Sequence, residues 1–171
     1  MTDLVILAAV AENNVIGKDG KMLWHISEDL KRFKKLTMNE AVIMGRNTYD
    51  SIISSLGRPL GKRFNVVLTS KPIERFDVID CNSIDKVLDY CDGREKAYII
   101  GGEQIYNMFM PWAQRLEITE VHKAYDGDVF FPKIDPKFWK ETKREDHDGF
   151  SFVSYDRKIQ WPGAKWEEKD L

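Results

Sequence analysis

An aspartate in the first turn of a predicted helix is the residue of this chain best suited to acid chemistry. Asp29 lies four residues before Phe33, in a segment where Leu30, Phe33 and Leu36 recur near helical spacing. Its carboxylate is therefore expected over the apolar stripe of the helix. A carboxylate kept there is desolvated, which raises its pKa unless it binds a cationic or hydrogen-bond-donating group. Asp29 suits a ligand-binding acid, and the plain alternative is a partner of the helix dipole.

Three segments have the composition of sites for phosphate groups. The segments 45–48 and 101–106 each begin with glycine after an apolar run and continue into a helical pattern. Arg46 adds a fork-shaped cation to the first, and Thr48 is expected to cap its helix. The segment 69–71, Thr-Ser-Lys, supplies hydroxyls and an ammonium group. None is specific alone, and neither glycine segment matches the Rossmann fingerprint or the P-loop.

Short apolar runs alternate with helical patterns as far as residue 110, an order that is typical of a parallel α/β sheet. The predicted strands are 4–10, 41–44, 65–69, 78–79 and 97–100, and the predicted helices are 28–36, capped by Ser27, 48–54, 83–90 and 103–110. The phosphate-type segments then fall at the carboxyl ends of parallel strands, where open α/β sheets bind ligands. A cofactor with several phosphate groups would bridge all three.

Beyond the last of these helices the pattern changes to alternation between apolar and polar residues. The segments 116–121 and 150–155 alternate in this way, which predicts antiparallel strands that close one edge of the sheet. The tail 160–171 is polar except for Trp161 and Trp166, so we predict an appended segment packed by its two indoles.

Size and charge limit what the chain does. Its 171 residues and 19.9 kDa suit one domain with a substantial core. A net charge of −2 and a pI near 6.0 give no basic field for nucleic acid, and the apolar run at 4–10 is too short to span a bilayer. Cys81 and Cys91, with no recognisable secretory leader, are expected to be reduced thiols of a cytoplasmic protein, a disulfide being the alternative. No metal site is expected.

Motifs that follow one another from residue 4 to residue 155 carry a family resemblance. They are Val15-Ile-Gly17, Met22-Leu-Trp24, Asp29-Leu30 with Phe33-Lys34, Val42-Ile-Met-Gly-Arg-Asn-Thr48, Gly57-Arg-Pro59-Leu60, Arg63-Phe-Asn65, Ile100-Gly-Gly102 and Gly127-Asp128. On these residues the chain closely resembles dihydrofolate reductase of the microbial, monofunctional type. The resemblance implies an open, mostly parallel twisted sheet with flanking helices and an antiparallel C-terminal edge. It implies one domain over 1–171, with a core at about 3–158, an adenosine-binding subregion at about 40–106 and a C-terminal extension at about 160–171.

The activity implied by the resemblance is NADPH-dependent reduction of 7,8-dihydrofolate to 5,6,7,8-tetrahydrofolate, which supports one-carbon metabolism and thymidylate synthesis. Hydride passes to pterin C6 and a proton arrives at N5, and the sequence leaves open whether Asp29 or a water delivers it. A monomer that also binds antifolates is expected. The alternatives are a reductase of other pterins or pyrimidines with the same fold, and a folate- or nucleotide-binding module without turnover.

By resemblance, Asp29 binds the pterin, and the catalytic set is Asp29, Trp24, Met22 and Thr119. A carboxylate accepts two hydrogen bonds in the fork geometry that a 2-amino group and an adjacent ring N–H present. Arg63 is assigned to the α-carboxylate of the substrate's glutamate, which calls for a fork-shaped cation. The substrate-binding positions are Leu7, Asp29, Leu30, Phe33, Ile52, Leu60, Arg63, Ile100 and Thr119.

The cofactor-binding positions implied by the resemblance lie in and around the glycine segments. Arg46, Thr69 and Ser70 are expected to hold the adenosine 2′-phosphate, and the family has a cis peptide at Gly101-Gly102. The full set is Ala9, Ile16, Gly17, Gly45, Arg46, Asn47, Thr48, Thr69, Ser70, Lys71, Gly101, Gly102, Glu103, Gln104, Ile105 and Tyr106.

The polar segment 13–22, with two glycines, is expected to form a mobile lid over the nicotinamide. Asp128 matches the family residue that anchors this loop through backbone N–H groups. Leu23 stands where the family usually has proline, so the lid is expected to be less rigid at that point.

Overall fold

Strands and helices alternate along the chain in a computed structural model that describes residues 2–19 and 21–158. The predicted packing of Trp161 and Trp166 lies outside the described residues, as does Gly20 of the expected lid. The strands are β1 Asp3–Ala11, β2 Val15–Gly17, β3 Ala41–Gly45, β4 Phe64–Leu68, β5 Val78–Cys81, β6 Lys96–Gly101, β7 Arg115–Val121, β8 Val129–Phe130, β9 Trp139–His147 and β10 Phe150–Arg157. The helices are α1 Ser27–Thr37, α2 Arg46–Leu56, α3 Ile84–Cys91 and α4 Glu103–Phe109.

Eight of these strands form one sheet in the order β5-β4-β3-β6-β1-β7-β10-β9. The strands from β5 to β7 in this order are all parallel, whereas β10 is antiparallel to both β7 and β9. The short strands β2 and β8 form a separate antiparallel pair. The predicted fold class, a mostly parallel α/β sheet with an antiparallel C-terminal edge, is confirmed.

Helices cover both faces of the sheet, which explains why β1 is apolar along most of its length. Its residues Leu4, Ile6, Ala8 and Val10 belong to a core shared with α3 and α4. The intervening side chains, including Leu7, belong to a second core shared with α1 and α2. A strand buried on both faces needs apolar residues at every position, whereas a half-exposed strand needs them at every second one.

One strand prediction requires correction, and one long strand was missed. The segment 116–121 is not simply an antiparallel strand: β7 pairs in parallel with β1 along its whole length, and antiparallel with β10 on its other side. Its alternation arises because Glu117 and Thr119 are buried and make side-chain contacts to α1. Strand β9 was not predicted, because all its residues after Trp139 are exposed and most are charged, as is common at sheet edges.

The predicted caps of the first two helices are wrong. Helix α1 begins at Ser27 with Ile26 as its N-cap, and α2 begins at Arg46 with Gly45 as its N-cap. Neither cap residue makes a side-chain capping hydrogen bond, so the first N–H groups of α2 remain available to other acceptors. None of the helices in the described residues combines the length and the apolar character that a membrane span requires.

Candidate active site

The predicted site residues are brought to the carboxyl ends of the central parallel strands. Ala9 on β1 lies opposite Thr119 on β7, Met44 on β3 lies opposite Gly101 on β6, and Gly45 lies opposite Leu68 on β4. Helices α2 and α4 begin immediately after β3 and β6, so their first turns open onto the same cleft. Open α/β sheets usually bind their ligands at this edge, in the crevice where the connections from two neighbouring strands run in opposite directions.

Asp29 faces this cleft from α1 and is half-buried. Thr119 Oγ1 donates a hydrogen bond to Asp29 Oδ1 over 2.5 Å, which joins α1 to β7. Burial raises the pKa of the Asp29 carboxyl, and this effect is opposed by the Thr119 hydrogen bond and by the positive charge of Arg32. The carboxyl therefore binds a proton at higher pH than an ordinary aspartate, as a general acid requires.

The apolar surroundings of Asp29 differ from the predicted ones at one position. Leu30 is 48% exposed, so it does not help to bury the carboxylate as expected. Helix α1 packs on the sheet through its later turns, where Phe33 and Leu36 join the second core and Thr37 is fully buried. Leu7 on β1 is buried and supplies part of the floor of the site.

Two aromatic residues belong to the predicted site. Tyr106 on α4 is buried and donates its hydroxyl to the Leu7 carbonyl oxygen over 2.9 Å. Burial, with a smaller effect from the charge of Asp29, raises the pKa of Tyr106, so it stays neutral. Trp24 packs against Tyr125 with ring centroids 5.2 Å apart, and its buried Nε1 has no hydrogen-bond partner among the described residues. Met22 is 62% exposed, so it is not buried with these residues.

Arg63 is held at the far end of the cleft by specific contacts. Its Nε donates to Thr37 Oγ1 over 3.1 Å, and its Nη1 donates to the Gly61 carbonyl oxygen over 2.7 Å. Buried Asn65 fixes the preceding turn, because its side chain bonds Leu60 in both directions, at 3.1 and 2.9 Å. Burial lowers the pKa of Arg63, yet a guanidinium remains charged at neutral pH.

Apolar residues line the cleft between Asp29 and Arg63. Phe33, Ile52, Leu60 and Ile100 are each partly buried and pack against the second core. The Arg63 guanidinium carbon lies 6.0 Å from the centroid of the Phe33 ring. An elongated ligand with an aromatic centre and an anionic end fits this arrangement.

Backbone approaches closely at the neighbouring glycine segments. A Cβ atom on Gly45 would lie 2.8 Å from Ile105 Cγ1, so a side chain has no room there. The Gly101-Gly102 peptide is cis, as the resemblance implied, and Thr48 Oγ1 lies beside Gly102. The bare backbone and the uncapped first turn of α2 form a cradle that fits the pyrophosphate of a dinucleotide.

Arg46 joins the remaining phosphate-type segment to this cradle. Its Nη1 donates to the Lys71 carbonyl oxygen over 3.2 Å, and its Nε donates to Asp50 over 3.2 Å. Thr69 Oγ1 accepts from the Lys71 N–H over 3.2 Å, which shapes the turn after β4. The structure therefore places the predicted cation and hydroxyl groups together at one end of the cleft.

The expected lid is tied to the segment around β8. Asn13 Nδ2 donates to the Tyr125 carbonyl oxygen over 2.7 Å, and Lys18 pairs with Asp126 over 2.5 Å. Gly127 passes so close to β2 that a Cβ there would lie 2.6 Å from the Gly17 carbonyl oxygen. The Asp128 N–H donates to that same oxygen over 3.3 Å.

A carboxylate from α4 also holds this region. Glu103 Oε2 accepts a hydrogen bond from the Phe130 N–H over 2.8 Å, so the first residue of α4 is bonded to β8. The resemblance had placed Glu103 among the cofactor-binding residues and had given the anchoring role to the Asp128 carboxylate. The contact that the structure gives to Asp128 is made by its backbone N–H.

A family model described as dihydrofolate reductase matches residues 3–159. The chain belongs to the dihydrofolate reductase family.

Individual dihydrofolate reductases are similar over nearly the whole chain. The enzyme of Haloferax volcanii is 44% identical over 161 residues, which cover 90% of this chain and 83% of that one. The enzyme of Bacillus subtilis is 40% identical over 158 residues, 88% of this chain and 92% of that one. The solved dihydrofolate reductase of Enterococcus faecalis, complexed with NADP(H) and RAB-propyl, has a TM-score of 0.81 and 31% identity, covering 92% of this chain and 97% of that one.

Several residues of this dihydrofolate reductase site escaped the sequence analysis. Thr37 and Asn65 position Arg63, and both are buried polar residues. A threonine that donates to the carbonyl four residues earlier, as Thr37 does to Phe33 over 2.7 Å, is a local signal that was available. The ion pair between Arg32 and Glu117 joins residues 85 apart, and nothing in the sequence pattern links them.

Proposed function

We propose that this chain reduces 7,8-dihydrofolate to 5,6,7,8-tetrahydrofolate with NADPH. The observation that carries the proposal is the half-buried Asp29 carboxyl, bonded to Thr119 over 2.5 Å and raised in pKa by burial. Its partner Thr119 lies at the same carboxyl edge of the parallel strands as Gly45 and Gly101. A solved relative from Enterococcus faecalis is complexed with NADP(H), which supports the choice of cofactor.

The residues divide the work of binding and proton transfer. NADPH, when bound, supplies the hydride that adds to pterin C6. Asp29 accepts hydrogen bonds from the 2-amino group and ring N–H of the pterin, and Thr119 holds the carboxyl in that orientation. Its raised pKa supports proton delivery toward N5, directly or through a water at Trp24 Nε1. Phe33 and Ile52 hold the aminobenzoyl ring, and Arg63 binds the glutamate α-carboxylate.

The cofactor would be held by groups of known position. The N–H groups of the first turns of α2 and α4 would bind the pyrophosphate, with Gly45 and Gly101 allowing its approach. Arg46, Thr69 and Ser70 would bind the adenosine 2′-phosphate. Ala9, Ile16 and Tyr106 would border the nicotinamide.

The remaining proposals concern the state of the protein. We infer one domain over 1–171, because the described central strands lie in a single sheet. We infer a monomer in the cytoplasm, where the buried free thiols Cys81 and Cys91 stay reduced. Antifolates are expected to bind the same cleft, and the solved Enterococcus faecalis relative is complexed with RAB-propyl as well as NADP(H).

The test of this function is the loss of NADPH absorbance with dihydrofolate, with tetrahydrofolate measured as the product. We expect one tetrahydrofolate formed for each NADPH consumed. If other pterin or pyrimidine substrates are reduced and dihydrofolate is not, the proposal is wrong. The protein would then be a reductase of those substrates with the same fold. Tight binding of NADPH and dihydrofolate without turnover would instead identify a binding module.

Arg46→Ala is expected to narrow the preference for NADPH over NADH about 10-fold, because one charge-assisted contact to the 2′-phosphate contributes about 1.5 kcal/mol. The measurement is kcat/KM for both cofactors. Asp50→Ala is the control, since it removes the residue that pairs with Arg46 and leaves the guanidinium in place. An unchanged cofactor preference in Arg46→Ala would contradict the role.

Glu103→Ala is expected to lower kcat about 5-fold while the Kd for dihydrofolate changes little, because one hydrogen bond that holds the lid partner β8 is lost. Asp128→Ala keeps the backbone N–H that bonds Gly17, so it should slow turnover only if the Asp128 carboxylate anchors the lid as the resemblance implies. The experiment is steady-state turnover at saturating NADPH together with equilibrium binding of dihydrofolate. Asp126→Asn serves as the control, since its ion pair with Lys18 is exposed. A rise in Kd without slower turnover would contradict the lid role.

A further inference from the structure

Two side-chain bridges join α1 to β7 beside the substrate site. Asp29 accepts from Thr119, and one helical turn further on Arg32 forms an ion pair with Glu117 over 2.5 Å. Asp29 and Arg32 share one face of α1 because they are three residues apart, and Glu117 and Thr119 share one face of β7 because they are two apart. The acid and the ion pair are therefore neighbours on both elements.

The ion pair is largely withdrawn from solvent. The side chains of Arg32 and Glu117 are 17% and 11% exposed. Ser154 Oγ on β10 donates to Glu117 Oε2 over 2.7 Å, and the Arg32 guanidinium lies 4.6 Å from the centroid of the Phe152 ring. Arg32 Nη1 is buried and has no hydrogen-bond partner among the described residues. Charges in such a place are poorly screened and act strongly on a neighbouring carboxyl.

A buried ion pair is a weak source of stability, because apolar residues of similar volume often stabilise a protein as much or more. The other polar groups around Asp29 are neutral. They come from the elements packed against it: the Thr119 hydroxyl on β7, the Tyr106 hydroxyl on α4, the Ser154 hydroxyl on β10 and, near Glu117, the Tyr98 hydroxyl on β6. Glu28 on α1 and Arg115 on β7 are charged but exposed. The charge that acts on Asp29 is that of Arg32, which lowers its pKa, and Glu117 is the partner of that charge.

We propose that Arg32 and Glu117 are positioning residues that set the proton affinity of Asp29 through their opposite charges. The inference rests on the proposed function, in which Asp29 is the acid of the reaction. A lone guanidinium at this place would favour the ionised carboxylate and deprive the site of its proton at neutral pH. Glu117, paired with Arg32, opposes that charge, while Arg32 prevents the buried Glu117 from standing near Asp29 as an uncompensated anion.

The test is the titration of Asp29 in the protein without ligands, followed by the ¹³C shift of its carboxyl carbon in protein labelled at aspartate. The signal is assigned by its loss in Asp29→Asn. We expect Glu117→Gln to lower the midpoint by about one pH unit, because the charge of Arg32 is then unopposed. Arg32→Met is expected to raise it by about one unit, because the favourable cation is lost. The double variant should return toward the wild-type midpoint.

Glu120→Gln is the matched control. Glu120 lies on the same strand and pairs with Arg144 over 2.7 Å on the exposed surface, so its removal should leave the midpoint unchanged. If the ion pair were merely structural, its removal would lower the melting temperature without moving the two midpoints in opposite directions. An unchanged or raised midpoint in Glu117→Gln overturns the proposal, and that variant with the double variant suffices if Arg32→Met does not fold.

The titration needs no turnover, so it separates this inference from the proposed function. Opposite shifts in a protein that does not reduce dihydrofolate would support the tuning of Asp29 and refute the reaction. Turnover with no shifts would refute the tuning alone. In an active enzyme, the pH at which turnover falls to half should move with the measured midpoint in each variant.

Discussion

Asp29→Asn is expected to lower turnover of dihydrofolate at pH 7 by about 100-fold or more, the usual range for loss of a general acid. The asparagine cannot release a proton toward N5, whereas the protonated Asp29 carboxyl can. The asparagine has nearly the same volume and keeps one oxygen that can accept from Thr119, so the fold should be retained. The measurement is NADPH consumption with dihydrofolate across a range of pH.

The pH dependence gives this prediction its sign. Because burial raises the pKa of Asp29, the wild-type carboxyl is protonated below that raised pKa and loses its proton as pH rises through it. Wild-type turnover should therefore fall toward alkaline pH with one inflection. In Asp29→Asn the inflection should vanish, and activity should recover only in acid, where solvent supplies the proton.

Glu28→Gln is the matched control for the acid, since Glu28 is the adjacent carboxylate and is exposed. It should keep wild-type turnover and the wild-type pH profile. Comparable activity of Asp29→Asn and wild type at pH 7 would remove Asp29 from the catalytic role.

Arg63→Ala is expected to raise the KM for dihydrofolate about 30-fold with a much smaller change in kcat. The expected loss is about 2 kcal/mol, the contribution of a charge-assisted contact between a guanidinium and a carboxylate. That contact lies far from the reacting atoms, so it stabilises substrate and transition state alike. Steady-state kinetics with varied dihydrofolate would measure the effect.

A substrate without its glutamate separates recognition of the carboxylate from damage to the site. A dihydropterin that lacks this group should react equally well with the wild type and with Arg63→Ala. Arg58→Ala is the control variant, because Arg58 is a nearby arginine that is exposed. If Arg63→Ala weakens both substrates equally, Arg63 supports the local structure through Thr37 and Gly61 and does not bind the carboxylate.

The sequence predicted the strands well where a strand is buried on both faces of the sheet. The strands that are buried on both faces are apolar runs, and they were placed within a few residues of β1, β3, β4 and β6. Strand β9 was missed because an exposed edge strand has no apolar pattern. The direction of β7 was predicted only in part, because alternation shows that a strand has two different faces and not which neighbour it pairs with.

Candidate site residues could be proposed from the sequence where a single charged side chain suits the proposed chemistry, and less so where residues act in pairs. Asp29 and Arg63 could be singled out by charge, position and family resemblance. The residues that hold them, Thr37 and Glu117 among them, act through contacts across long sequence separations. Leu30 shows the opposite limit, because helical periodicity marks it as apolar without showing that the cleft leaves it exposed.

The place of β1 in the sheet determines when the site comes into existence during synthesis. The first strand to leave the ribosome is a central one, and its two neighbours, β6 and β7, begin at Lys96 and Arg115, roughly 90 and 110 residues after Asp3. The Leu7 carbonyl bonds Tyr106, which is 99 residues later in the chain, and the Asp29 carboxyl bonds Thr119, which is 90 residues later. A nascent chain that ends before β7 therefore carries nearly all of the cofactor cradle but lacks the Thr119 hydroxyl that holds the Asp29 carboxyl. The contact between Asp29 and Thr119 therefore forms only when β7 pairs with β1, late in synthesis.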